Sequence, residues 1–250
     1  MDGKCPVPIS NPEYFWCRRK PENDLRVLPE RKPDTPLPDT VCSMTRYLID
    51  IRQMGAVKRQ ISTLSRTLQE TFDLGTMLVV PHITLAGPFS TEDEDRLIRD
   101  FAQVCGQQEA APHYDLGGYG FFEKTRVVFV EIAPDEALRQ FRYWLAQAIA
   151  PYCTLREYDL VPAEEFRFHS TLAMKLDWLT FMRIKWHFRN QEPVSPRYHP
   201  IRVTLLKNSR ILCEYDFSQS RMLTRAQAES RATRVRDNKV LRAWGDREGE

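Results

Sequence analysis

One strand-like pattern occurs twice in this chain, and it limits the possible folds more than any other feature. His82-Ile83-Thr84-Leu85-Ala86 and His169-Ser170-Thr171-Leu172-Ala173 both read His-x-Thr-Leu-Ala. Alternate residues of a strand point the same way, so each histidine shares a face with its threonine, and Ile83 or Ser170 turns to the other side. Each copy lies in a similar strand–helix–strand succession. The chain therefore reads as a pseudo-duplicated α+β domain.

The flanking periodicities support that reading. Tyr47, Ile49 and Ile51 alternate within 43–52 as a strand, and Val57, Ile61, Leu64, Leu68 and Phe72 follow at helical spacing. Leu78-Val79-Val80 and the first motif form a β-rich run closed by Gly87-Pro88. Ser90 and Thr91 are expected to cap a helix with an acidic first turn and an apolar face of Leu97, Ile98, Phe101 and Val104. Residues 114–122 and 126–132 read as a strand pair around Glu123-Lys124-Thr125, and Pro134-Asp135 opens a further helix. In the second half, 166–176 reads as a strand, 178–189 as a helix, and 201–207 with 210–217 as a hairpin around Asn208-Ser209.

The ends differ from this core. Eight prolines fall before residue 40 (Pro6, Pro8, Pro12, Pro21, Pro29, Pro33, Pro36 and Pro38), so 1–42 reads as an extended arm. Residues 43–217 read as the folded domain, expected to form two lobes. Residues 218–250 read as an Arg-rich helical tail with no strand pattern, a solvated terminal helix.

Composition excludes several function classes. Thirty-six basic against 34 acidic residues leave a net charge of +2, which is not a strongly basic nucleic-acid coat, although a local basic groove is compatible with it. Neither Gly-x-Gly-x-x-Gly nor Gly-x-x-x-x-Gly-Lys-Ser/Thr occurs among only 10 glycines, so the common nucleotide loops are missing. The six cysteines (5, 17, 42, 105, 153 and 213) never fall within four residues of each other, which gives no zinc knuckle or redox pair. No apolar stretch approaches the ~18 residues of a membrane helix, and the first residues lack the apolar run of a signal peptide. A monomer in the cytoplasm, away from membranes, is expected.

Two imidazole–hydroxyl pairs facing one groove fit one chemistry well. A neutral histidine takes a proton from an attacking hydroxyl or water, and a protonated one gives a proton to the leaving oxygen. The threonine hydroxyls would bind the non-bridging oxygens of a phosphate held between them. His82, Thr84, His169 and Thr171 are thus the candidate catalytic residues. Neither motif has a carboxylate, cysteine or second histidine at ligand spacing, so no metal and no cofactor are expected. His113, His187 and His199 have no such partner and read as structural. Tyr119, Phe121 and Phe122 are candidates to stack a base, Tyr119 and Phe121 as substrate-binding residues, against core packing as the other reading and the favoured one for each phenylalanine.

These motifs resemble those of the two-histidine (2H) phosphoesterase superfamily, and within it the RNA 2',3'-cyclic phosphodiesterase or 2'-5' RNA ligase family. Pro81-His82-Ile83-Thr84-Leu85-Ala86-Gly87-Pro88-Phe89 is similar to that family's first motif, Phe168-His169-Ser170-Thr171-Leu172-Ala173 to its second, and 117–122 to the glycine- and phenylalanine-bearing strand between them. The resemblance covers 43–217. It implies a bilobal α+β fold, with antiparallel-rich sheets facing a central groove and helices outside. It also implies metal-independent hydrolysis of cyclic phosphate on RNA or oligonucleotide ends, with 2'-5' ligation as a related activity. The alternatives are another cyclic or 2'-5'-linked nucleotide as substrate, or a non-catalytic RNA-binding protein. One departure stands out: the second motif of that family often continues Leu-Ala-Arg, whereas Met174 follows Ala173 here. Lys175, or Lys124 and Arg126 from the neighbouring hairpin, are the candidates to supply the cation.

Overall fold

A computed structural model describes residues 45–75, 80–108, 111–189, 191 and 197–247. The arm read over 1–42, and Leu78-Val79 at the start of the β-rich run, lie outside these residues. In chain order the main elements are β1 (Tyr47–Arg52), α1 (Gly55–Phe72), β2 (His82–Phe89), α2 (Glu94–Gly106), β3 (Tyr114–Phe122), β4 (Val127–Pro134) and α3 (Glu136–Ile149). They continue with β5 (His169–Ala173), α4 (Trp178–His187), β6 (Arg202–Lys207), β7 (Arg210–Asp216), β8 (Arg221–Thr224), α5 (Arg225–Ala228) and α6 (Arg231–Arg247). The class is α+β. One antiparallel sheet has the order β2-β1-β6-β7-β8 and the other β3-β4-β5.

The sheets do not divide the chain into an N-terminal and a C-terminal half. β5, which carries the second motif, pairs with β4 from the first half, and β6 returns to pair with β1. The two motif strands are both sheet edges, and β2 touches β5. The strand numbers, five and three, also differ between the sheets.

Each strand buries one face beneath helices. Ile49, Ile51, Val203 and Leu205 of the larger sheet, and Val128, Val130 and Ile132 of the smaller, join one core with the stripes of α1 (Val57, Ile61, Leu68), α2 (Leu97, Phe101, Val104) and α3 (Leu138, Phe141, Leu145). Each such side chain contributes roughly 1.5–3 kcal/mol by leaving water. Aspartates at the helix starts order the entry points: Asp135 accepts from the Leu138 amide at 2.7 Å and Asp177 from the Thr180 amide at 2.9 Å. α2 starts later than the sequence suggests. Its cap is Asp93, which accepts from the Arg96 amide at 2.9 Å, while Thr91 instead receives the Asp93 amide at 3.2 Å. A carboxylate at that position satisfies a free amide and also faces the positive helix end.

The expectation of a strandless, solvated tail does not hold. Arg221–Thr224 adds β8 to the sheet edge, where β7 supplies hydrogen bonds that a four-residue strand cannot advertise by its own pattern. α6 is docked. Arg202 of β6 donates to Glu214 at 2.6 Å, to the Ala228 carbonyl at 3.3 Å and to Asp237, and Arg236 pairs with Asp216. Cys105, Cys153 and Cys213 are free and buried.

Candidate active site

His82 and His169 are the first residues of β2 and β5, and the same local bond holds each ring. The Nδ1 of His82 meets the Val80 carbonyl at 2.7 Å, and that of His169 meets the Arg167 carbonyl at 3.1 Å. A carbonyl can only accept, so Nδ1 carries the hydrogen in both rings, and a neutral ring then holds its lone pair on Nε2. Strand alternation puts Thr84 and Thr171 beside them. All four side chains line one groove of about 570 Å³.

Burial lowers the pKa of both imidazoles, because the charged form loses its hydration. His82, only 8% exposed, is brought down to about 4; the nearby His169 and Arg52 add positive potential that opposes its protonation. His169 is lowered first by burial and then by the Arg167 charge. Since the folded pKa of His82 lies below its unfolded value of about 6.5, the stabilisation is complete above that pH. It is lost as pH falls toward 4, by an amount on the order of 3 kcal/mol. Urea unfolding at pH 7 and pH 4 is expected to show a larger acid loss in the wild type than in His82→Gln. Equal losses in the two proteins would mean that His82 folds without a depressed pKa.

Of the other residues named from sequence, Phe121 and Lys124 line the groove. Tyr119 does not; it stacks on Phe188 with ring centroids 3.8 Å apart, on the helix-covered side of its sheet. Its cross-strand partner is the core residue Val130, so strand alternation turns it to the core-facing side of its sheet, opposite Gly120 and Phe122. Arg126 and Lys175 are also outside the groove lining. Both are exposed and adopt positive φ, 53° and 60°, at points where the chain turns. Met174 takes the place beside the motif.

Phe122, named from sequence as a stacking candidate, also lines the groove, whereas Phe129 and Arg167, two neighbours of His169, carried no such signal. Phe122 turns its ring edge-on to His169 at 5.0 Å, and Phe129 lies 5.1 Å from the same imidazole. Gly120 makes that position of Phe129 possible, since a Cβ there would fall 2.1 Å from the ring. Arg167 lines the groove, pairs with Glu131, and stands 4.9 Å from the centre of the Phe129 ring. Its place two residues before His169 was the one available hint.

A buried arginine shapes the wall opposite. Arg142 of α3 is fully buried and donates to four carbonyls: Leu85 at 3.1 Å, Val161 at 3.4 Å, Tyr158 at 3.3 Å and Asp159 at 2.6 Å. Its guanidinium lies 3.6 Å from the centre of the Phe166 ring. Asp159 in turn accepts from the Gly87 amide at 3.1 Å, and the Tyr158 hydroxyl donates to the Gly87 carbonyl at 3.1 Å. The loop 156–162 is thereby clasped to β2 a few residues beyond Thr84. Burial raises the Asp159 carboxyl to about 6 even though Arg142 faces it.

Among the described residues, no group of three or more His, Cys, Asp or Glu is placed to hold a metal ion. None of the described helices is long and apolar enough to cross a membrane.

Comparison with known proteins places the chain. A phosphoesterase of Geobacillus sp. (strain WCH70), so named without an assigned substrate, is 20% identical over 147 residues, 56% of this chain and 80% of that protein. Among solved structures, E. coli LigT complexed with 3'-AMP is similar at 19% identity, covering 72% of this chain and 92% of its own, with a TM-score of 0.40. Kluyveromyces marxianus Usb1 with uridine monophosphate is similar at 12% identity, covering 65% and 93%, with a TM-score of 0.35. The family model of the 2'-5' RNA ligase superfamily matches residues 56–210, a span that takes in both His-x-Thr pairs and the strands between them, and the chain belongs to that superfamily.

Proposed function

We propose that this phosphoesterase opens 2',3'-cyclic phosphate ends of RNA or oligonucleotides, leaving a 2'-phosphate. The supporting observation is the matched environment of the two motifs: two edge strands present His and Thr to one groove, and each Nδ1 is committed to the carbonyl two residues earlier. That bond orients Nε2 as the nitrogen that exchanges protons. His82, the more deeply buried ring and the one beside Arg52, favours the neutral form and acts as the base. His169 acts as the acid, and a bound phosphate anion stabilises its protonated form.

The steps balance without a co-reactant other than water. Water loses a proton to Nε2 of His82 as its oxygen bonds to phosphorus. The bond from phosphorus to the 3'-oxygen breaks, and that oxygen takes the proton from His169. The Thr84 and Thr171 hydroxyls donate to the non-bridging oxygens, where charge builds in the transition state. Ligation is the same displacement with a ribose hydroxyl in place of water.

Phosphorus NMR on a short RNA ending in a cyclic phosphate tests this directly. The cyclic resonance should be replaced by that of a 2'-phosphate, at the same rate with and without EDTA, and added zinc, magnesium or manganese should not raise it. An unchanged spectrum, or activity lost to EDTA and restored by a metal, would overturn the proposal.

A further inference from the structure

We infer that the groove reads only the nucleotide that carries the cyclic phosphate, so that a cyclic mononucleotide serves as well as a longer strand. The inference rests on the phosphodiesterase reading above and adds the size of what is recognised.

The first support is a closed sheet face. Cross-strand partners share a face, and the register pairs His82 with Arg52, Thr84 with Asp50, Asp50 with Thr204, and Thr204 with Glu214. The face that bears the His82–Thr84 pair therefore continues across three more strands. A nucleic-acid strand lying along that face would have to cross it. It is covered: Asp50, Thr204, Glu214 and Arg202 are 1%, 0%, 4% and 6% exposed. Arg202 is bonded to the Ala228 carbonyl and to Asp237, so α5 and α6 sit on this side. Beyond them, Leu241 closes over Gly55, and Trp244 packs 5.4 Å from His199.

The second support is charge. Proteins that hold a strand of nucleic acid line its path with uncompensated lysine and arginine. Among the described residues the cations of the groove lining are Lys124 and Arg167, and the same lining contains Glu165 and Glu123, the latter paired with Lys185. Arg167 is further paired with Glu131. Among the described residues this near-balance, with Arg52 beside His82, suits one phosphate held between two histidines better than a run of phosphates. The third is size and polarity. The groove, at about 570 Å³, falls in the range of small-molecule sites, and Phe122, Phe166 and Met174 give it an apolar wall suited to one flat ring.

The test compares adenosine 2',3'-cyclic monophosphate with an octanucleotide ending in the same group, between 50 and 200 mM salt. The expected kcat/KM values agree within about threefold, and both fall with salt no more steeply than one phosphate contact requires, a log–log slope of about −0.7. A preference of about tenfold or more for the octamer, fading as salt rises, would overturn the inference while leaving the phosphodiesterase reading in place. Turnover of neither compound would overturn that reading instead. Titration calorimetry with adenosine 2'-monophosphate and with an octamer ending in a 2'-phosphate then decides the size question separately. Equal affinities support a one-nucleotide site; tighter octamer binding by about tenfold or more, or no binding of either, rejects it.

Discussion

Replacing His82 or His169 by alanine is expected to lower kcat on a cyclic phosphate end by about 10²–10⁴ in each case, with the fold retained. The double variant should lose far less than the product of the two, because a base and an acid that act in one displacement fail together. Circular dichroism and urea unfolding separate loss of chemistry from loss of fold. The wild-type kcat/KM profile should be bell-shaped, since one ring must be neutral while the other is protonated, and its two limbs belong to the coupled pair. Burial brings the His82 pKa down to about 4, so with the proposed roles neutral base should be abundant at pH 7 and the fraction of protonated His169 should govern the alkaline limb. Near-wild-type turnover in either single variant would remove the two-histidine mechanism.

Arg142→Leu is expected to cost about 3–5 kcal/mol of stability, a fall in Tm on the order of 10 °C. The guanidinium is fully buried and donates to the carbonyls of Leu85, Tyr158, Asp159 and Val161, so its removal leaves those bonds unmade and takes away the charge that faces the Asp159 carboxyl. The effect should reach catalysis as well. The same clasp holds Gly87 of β2 to Asp159 and Tyr158, and Gly87 and Tyr158 both line the groove. Arg142→Lys keeps the charge but cannot span the four carbonyls, and should fall between the wild type and Arg142→Leu in both unfolding and kcat/KM. A stable Arg142→Leu protein with an unchanged Tm would show that the clasp does not hold the wall.

The candidate chemistry was legible before any coordinates because it is written at short range. Thr follows His by two positions in each motif, and each histidine follows by two positions the carbonyl that orients it; a strand fixes both relations by its own geometry. The stripes of α1, α2 and α3 were legible for the same reason, since a helix repeats its face every three or four residues. Binding residues were read less well. Tyr119 lies outside the groove lining because it faces the core with its cross-strand partner Val130, and Arg126 and Lys175 because each sits at a positive-φ turn of the backbone.

By itself, then, the sequence determined the α+β class, the two His-x-Thr pairs and the helix faces, all of which depend on neighbours a few residues away. Tertiary structure alone decided that β5 completes the sheet of β3 and β4 while β6–β8 return to β1, bringing two edge strands together. It also decided that Arg142 reaches carbonyls from residues 85 and 158–161, and that a tail rich in arginine docks on Arg202 and Asp216 instead of lying in solvent. Those partners are distant in the chain, and pairing energies between distant segments leave no periodic trace in either one. A buried arginine and an exposed one look alike until the carbonyls and carboxylates that surround it are in place.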